Sequence, residues 1–374
     1  MKIKYFKIIL FAVGILNVSV VLSQNFNQFN ATNMSYNSAF AGSLIDGRLS
    51  IDNRTDNIYK QTVYDYNTQK NISITNFTNR YYAGYDQYLS KLKGGIGVYI
   101  TGYNDFDHYN QLTRINSNDT SGGPSSYLTK SFNLNICYSR KIKLSEKLTL
   151  SPAINFNFYT NAATSKIELY NSSTNTKITN EYFNFNNQGV GIAFGLLLNT
   201  ENFYVGLSTD NYLFVSKENW LEKDFLSTDI YQDTTYYFKQ LNLSKIPGLN
   251  LHASYTFKFK NKDLSITPMA MLSFGREKLL PYDDIEIDSY RLQQIFISTN
   301  IKYKKIEIGC GIKASNILIG LIAYNFRNLR IAYSIASQGH NRNEILYSNY
   351  KTTHELSIRY IIKGSTDMVP EKNN

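Results

Sequence analysis

Ile306-Glu307-Ile308-Gly309-Cys310-Gly311-Ile312-Lys313 sets an apolar side chain or a cysteine at every even position and a charge or glycine at every odd one. Leu329, Ile331, Tyr333 and Ile335 repeat the pattern against Arg330, Ala332, Ser334 and Ala336. Side chains on a strand point alternately to opposite faces. One face therefore prefers hydrocarbon or a dry core, and the other prefers small or polar groups. Lipid outside and a water-containing lumen inside supply both environments. The rhythm predicts an all-β, antiparallel, up-and-down transmembrane β-barrel.

Working outward by the same period-two reading places strands near 44–53, 73–90, 94–104, 130–140, 147–160, 187–199 and 202–215. A second set falls near 248–260, 263–276, 291–303, 306–315, 317–326, 329–337 and 353–362. That makes about fourteen, an even number as single-chain bacterial barrels use. The connections alternate in length. Lys91-Leu92-Lys93, Thr200-Glu201, Asn261-Lys262, Lys304-Lys305 and Arg327-Asn328 are short, as is 142–146. Between them lie long polar segments at 105–129, 161–186, 216–247, 277–290 and 338–352. Barrels have short periplasmic turns and longer extracellular loops, so both termini are expected in the periplasm. The segment Asn219 to Asp233, with the lone Trp220, is the outer stretch expected to be most specific.

Residues Met1 to Ser23 read as a cleaved secretory signal: Lys2, Lys4 and Lys7, then an apolar run from Ile8 to Leu16, then a small residue before Gln24. The expected organisation is a signal at 1–23, a periplasmic lead-in or partial plug at 24–43, a barrel over 44–362 and a tail at 363–374. No later run is long enough for a spanning helix. In lipid only helices and closed barrels satisfy their backbone. Aromatics at 14%, with 31 Tyr and 22 Phe, suit interfacial girdles, and only six prolines suit long strands. A large soluble β-protein is the competing class. The net charge of +10 is scattered over turns, with no basic stripe that would read nucleic acid. Cys137 falls on the lumen parity and Cys310 on the apolar one, which predicts two free thiols.

No catalytic signature appears, and no enzyme, metal or cofactor is expected. His108, His252, His340 and His354 lack metal-ligand spacing. His252 and Ser254 share a strand face but are not placed as base and nucleophile. Gly94-Gly95-Ile96-Gly97, Gly189-Val190-Gly191 and Gly309-Cys310-Gly311 read as small lumen residues that let a strand bend or a plug approach. Lys302, Lys304, Glu307, Arg330 and Arg359 are candidates for a charged eyelet. Of these, Arg330 and Arg359 have inward parity, and carboxylate pairing inside the barrel is their expected role.

Gln28-Phe29 followed by Asn37-Ser38-Ala39-Phe40-Ala41-Gly42-Ser43 resembles the opening of the PorP/SprF family of type IX secretion membrane proteins. That family typically shows Gln-Tyr and then Asn-Pro-Ala-Tyr-Ala-Gly; Phe29 stands at the tyrosine and Ser38 at the proline. Arg54 and Tyr59 echo the family's arginine with a nearby aromatic. Similar matches run through Gly189 to Ser208, Leu264 to Met269 with Pro268, Leu329 to Ser334 and His354-Glu355 through Tyr360. The resemblance implies a non-enzymatic outer-membrane barrel of Bacteroidota. Its implied role is secretion or surface anchoring of type IX cargo such as gliding adhesins. Implied partners are outer-membrane lipid, that cargo and periplasmic components of the machinery. Gln28, Phe29, Asn37, Ala39, Ala41, Gly42, His354 and Glu355 become the partner or plug candidates. A barrel of the fatty-acid-transporter type, taking small hydrophobic molecules, and a porin are the alternative functions. An outer-membrane hydrolase ranks last.

Overall fold

The computed structural model describes residues 28–44, 46–65, 70–109, 120–171, 177–209, 212–223, 233–238, 248–259, 263–278, 288–313, 317–338 and 352–363. The expected signal, the tail beyond Lys363 and the ends of the outer loops lie outside them.

Fourteen antiparallel staves form one closed sheet. They are β1 (Gly47–Asp65), β2 (Lys70–Leu89), β3 (Gly94–Tyr109), β4 (Thr120–Arg140), β5 (Thr149–Asn171) and β6 (Lys177–Asn199). β7 runs Phe203–Thr209 and resumes as Tyr212–Lys223; β8 runs Asp233–Phe238, Leu249–Tyr255 and Phe257–Phe259. Then come β9 (Leu264–Lys278), β10 (Asp288–Tyr303), β11 (Ile306–Lys313), β12 (Ile317–Phe326), β13 (Leu329–Gln338) and β14 (Thr352–Ile362). Each stave pairs with its chain neighbours. Closure comes from β1 against β14, in register from Gly47↔Ile362 to Asp56↔Thr353. Closing the sheet removes the free edges that an open one would leave to pair with other chains.

The apolar parity faces outward. Leu318, Ile322, Tyr324 and Phe326 on β12 are exposed, as are Ile306, Ile308 and Ile312 on β11 and Leu356, Ile358 and Tyr360 on β14. From Leu318 to Phe326 the strand covers about 27 Å, close to the lipid-facing band of about 25 Å typical of such barrels. The other parity is buried and polar: Ser50, Asp52, Asn135, Asn155, Ser208, Ser254, Glu307 and Ser357. Cys137 is buried in the lumen, Cys310 faces out, and both thiols are free.

The wall is uneven. β5 and β6 are each 23 residues long, whereas β11 has 8 and β12 has 10. Much of the expected loop sequence at 105–129, 161–186 and 216–247 is strand, which corrects the sequence boundaries. The first strand also starts at Gly47 rather than residue 44. Beyond the lipid band neither face meets hydrocarbon, so a hydrophobic period of two vanishes while backbone pairing continues. A period search is blind to that part of a strand.

The lumen holds a helix, α1 (Phe29–Tyr36), and a 3₁₀ turn at Ser38–Phe40. A two-turn helix rich in Asn, Thr and Ser is too short and too weak in propensity to stand alone. Tertiary contact sustains it: Phe29, Ala31, Met34 and Tyr36 are all buried.

Candidate functional site in the barrel lumen

The segment from Gln28 to Gly42 crosses the lumen from wall to wall and is held at both ends and in the middle. At its start, the Gln28 backbone N–H donates to Glu355 Oε1 at 2.7 Å. The Gln28 amide donates to the Glu355 carbonyl at 3.2 Å and to the Ala332 carbonyl at 3.4 Å. Ser357 Oγ donates to Gln28 Oε1. Gln28 is thus saturated by β13 and β14, and it is 2% exposed. A buried amide whose groups are paired costs little; the same amide unpaired would cost about 1–3 kcal/mol per group.

Asn37 fixes the middle. Its Oδ1 accepts from Ala39 N at 2.9 Å and so caps the 3₁₀ turn. Its Nδ2 donates to the Leu196 carbonyl of β6 at 3.1 Å and the Leu207 carbonyl of β7 at 3.2 Å. His252 Nε2 of β8 lies 3.0 Å from the same nitrogen. One side chain therefore joins the plug to three consecutive staves. Beside it the Phe29 and Phe40 rings pack edge to face at 5.6 Å, and Phe40 stacks on His252 at 5.4 Å. Tyr204 meets Phe40 edge-on at 5.3 Å. Ser208 Oγ donates to the Tyr36 carbonyl at 2.5 Å.

The end is fixed by close approach. Ala39 and Ala41 are completely buried. Gly42 has φ +59, and a Cβ there would lie 2.4 Å from Gly95 Cα. A Cβ on Gly95 would lie 2.1 Å from the Ala41 carbonyl oxygen, and one on Gly195 would lie 2.3 Å from Asn37 Oδ1. The left-handed backbone of Gly42 suits glycine, and the wall glycines open the room for the plug backbone. Gly42 N donates to Asp86 Oδ2 at 2.8 Å, while Arg48 Nε donates to Asp86 Oδ1 at 2.7 Å. The Ala39 carbonyl accepts from Ser139 Oγ at 3.1 Å and from Lys141 Nζ at 3.0 Å. Lys141 lies past the end of β4, outside the spanning strands. Burial pushes its ammonium down to about 8, against the pull of the Asp86 carboxylate.

Among the described residues the lumen's ion pairs gather on one arc of the wall, from β11 round to β1 and β2. Arg330 donates twice to Glu307, at 3.1 Å each. Arg54 and Arg80 share Asp56 at 2.7 and 3.4 Å. On the opposite arc the lumen is lined by neutral amides and hydroxyls. Asn135 Oδ1, for example, accepts from Asn155 and Asn157 at 2.9 Å each. A polar cavity of about 190 Å³ lies there, between the plug and residues that include Tyr99, Asn155, Ser208 and Asn250.

The candidates of the sequence reading are distributed as follows. Gln28, Phe29, Asn37, Ala39, Ala41, Gly42 and Glu355 meet in the lumen. Neighbouring His354 does not: it lies on the outward parity, where Nδ1 sits 2.6 Å from the Tyr333 hydroxyl. Arg330 pairs inside with Glu307, and Arg359 has the same parity on β14, opposite Arg330. Lys304 is exposed on the short turn between β10 and β11 and lines no eyelet. Sequence reasoning missed Asp86, Arg48, Ser139, Ser208 and Ser357 as plug contacts. Their signal was parity, since each is a polar residue on the lumen face of its strand. The side chain of Trp220 lies outside the described residues. Among the described residues no group of His, Cys, Asp and Glu could hold a metal ion.

Comparison with solved structures finds barrels. The Ralstonia pickettii toluene transporter TbuX is 12% identical, with 89% of this chain and 94% of that one covered and a TM-score of 0.47. The Pseudomonas putida toluene transporter TodX is 10% identical, with coverage of 91% and 95% and a TM-score of 0.47. The translocator domain of the autotransporter NalP from Neisseria meningitidis is 9% identical, covering 88% and 93%, with a TM-score of 0.43. No curated protein matches the chain. At such identities the architecture rests on the strand pairing itself. The family described as type IX secretion system membrane protein PorP/SprF matches residues 21–360, nearly the whole barrel and its plug, and the chain belongs to that family.

Proposed function

We propose that this protein is a non-enzymatic outer-membrane barrel that assists secretion or surface anchoring of type IX cargo, large gliding adhesins among them. In this reading residues 1–23 are a cleaved signal, the short turns and both chain termini face the periplasm, and the tall ends of the strands face outward. The observation that carries the proposal is the wedged segment Gln28 to Gly42. A lumen filled by the chain's own residues, on matched wall glycines and paired polar groups, favours a docking body over an open pore. The family supplies the secretion context. The tall β1–β7 wall offers the outer surface for an exported protein, and the turn end offers contacts for periplasmic components.

The test is genetic and compositional. Deleting the gene in its native host leaves one or a few particular surface proteins unsecreted or shed into the medium, as seen by proteomics of washed cells and culture fluid. Unaltered display of every surface protein in the deletion strain overturns the proposal. Cross-linking on intact cells then identifies the cargo. Open-channel conductance of the purified full chain in a planar bilayer supports the porin instead. Saturable uptake of hydrophobic molecules supports the transporter.

A further inference from the structure

The short-turn rim between β10 and β13 carries a charge arrangement that neither the plug nor cargo docking uses. Lys305 Nζ lies 5.7 Å from the Phe326 ring centre, and Arg327 Cζ lies 5.5 Å from the same centre. Next to them Lys304 Nζ lies 5.4 Å from the ring of Tyr303. All three cations are exposed, and among the described residues none makes an ion pair. Two like charges converging on one ring repel each other. A single aromatic face offsets part of that, and an anion held between them would offset far more.

The position of this cluster says which anion. Phe326 ends the outward apolar column of β12, in which Tyr324 is 50%, Ile322 57% and Leu318 64% exposed. Ile306 and Ile308 of β11 run alongside at 49% and 59%, with Ile306 paired to Tyr324 and Ile308 to Ile322. The cations therefore sit where hydrocarbon gives way to water, directly above a greasy strip two strands wide. An acidic protein would meet the flat end of the rim; these groups instead lie over rings on the barrel's outer side, continuous with the lipid-facing belt.

We infer that Lys305 and Arg327, with Lys304 beside them, form a binding site for the phosphate headgroup of an anionic phospholipid whose acyl chains lie along β11 and β12. The turn geometry contributes. Lys304 and Arg327 have φ of 52 and 50, and Asn325 fixes the adjoining turn by donating its N–H to the Lys305 carbonyl at 2.7 Å. The site is independent of the cargo reading and stands or falls separately from it.

The experiment uses the full mature chain in a neutral detergent. Native mass spectrometry counts retained phosphatidylglycerol and phosphatidylcholine from an equimolar mixture, and thermal midpoints are compared with and without each lipid and with inorganic phosphate. The expected result is preferential retention of phosphatidylglycerol, falling about fivefold for each cation removed in Lys305→Gln and Arg327→Asn. Asn tolerates the left-handed turn, which protects folding of the second variant. Lys91→Gln with Lys93→Gln, on a different turn, should leave retention unchanged and serves as the control. Equal retention of both lipids, or equal loss in the control variant, overturns the site. A phosphate-induced midpoint shift as large as that with phosphatidylglycerol overturns the lipid and leaves a free-phosphate site. Recovery of an acidic protein at this rim that competes with the lipid also overturns it.

Discussion

Asn37 shows how much of this protein's behaviour can hang on one amide. Its Oδ1 shapes the plug's own turn, and its Nδ2 reaches the carbonyls of two staves that are far from it in sequence. Asn37→Leu is about the same size but removes both bonds to those carbonyls and leaves the Ala39 N–H without its cap. The expected cost is about 2–4 kcal/mol of plug docking, read as faster hydrogen exchange across 29–42 with the strands still protected. Asn37→Asp keeps the cap and loses the donors, so it should expose the plug almost as much. Gly95→Val tests the same joint from the wall. The valine would overlap the Ala41 carbonyl, so the barrel should still form while the segment undocks. Protease sensitivity of the N-terminal segment in intact barrels measures this, and unchanged protection would show that the contact is dispensable. The resemblance made Asn37 and Gly42 legible from sequence, but not what they touch. Leu196, Leu207 and His252 lie more than 150 residues away along the chain, as separations of 159, 170 and 215 show, and no local pattern encodes that distance.

Among the elements, the strands were legible wherever lipid imposes alternation and illegible elsewhere. Ile306 to Lys313 alternates greasy residues with glycine or charge, so its faces follow from the sequence; 161–171 and 177–186 are mixed in polarity and carry no such period. Helix α1 left no readable trace, because its Asn, Thr and Ser residues favour caps and turns over helix interiors and only the surrounding wall holds it. Inside the wall, the Glu307–Arg330 pair ties β11 to β13 across β12. Its side chains are 10% and 4% exposed. Breaking a pair that deep by Glu307→Gln strands the guanidinium and should destabilise the barrel by about 3–5 kcal/mol, whereas replacing both with Leu and Met should recover much of that loss. Denaturant titration of the unfolding transition in detergent micelles distinguishes the two variants. Equal destabilisation by the single and double changes would show that packing, rather than unpaired charge, sets the cost.

At the scale of the molecule, the plug is expected to decide whether the barrel conducts. Removing residues 28–42 should convert a quiet barrel into one with steady ion conductance in planar bilayers, with cation or anion preference set by the Arg54, Asp56 and Arg80 arc. A plug-deleted protein as silent as the parent would place the block elsewhere in the lumen.

The anchorage of Gln28 has a further bearing on biogenesis. The first described residue is clasped by Glu355 and Ser357, on the last stave to be synthesised. Until the final strand has arrived beside β1, only the Ala332 carbonyl of β13 is in place for that amide, so sealing the seam and completing the stopper's clasp become one event. A ribosome-proximal truncation that spares the first thirteen staves would then forfeit both at once. Maturation of this protein would be all or nothing, with no half-built cylinder standing open in the envelope.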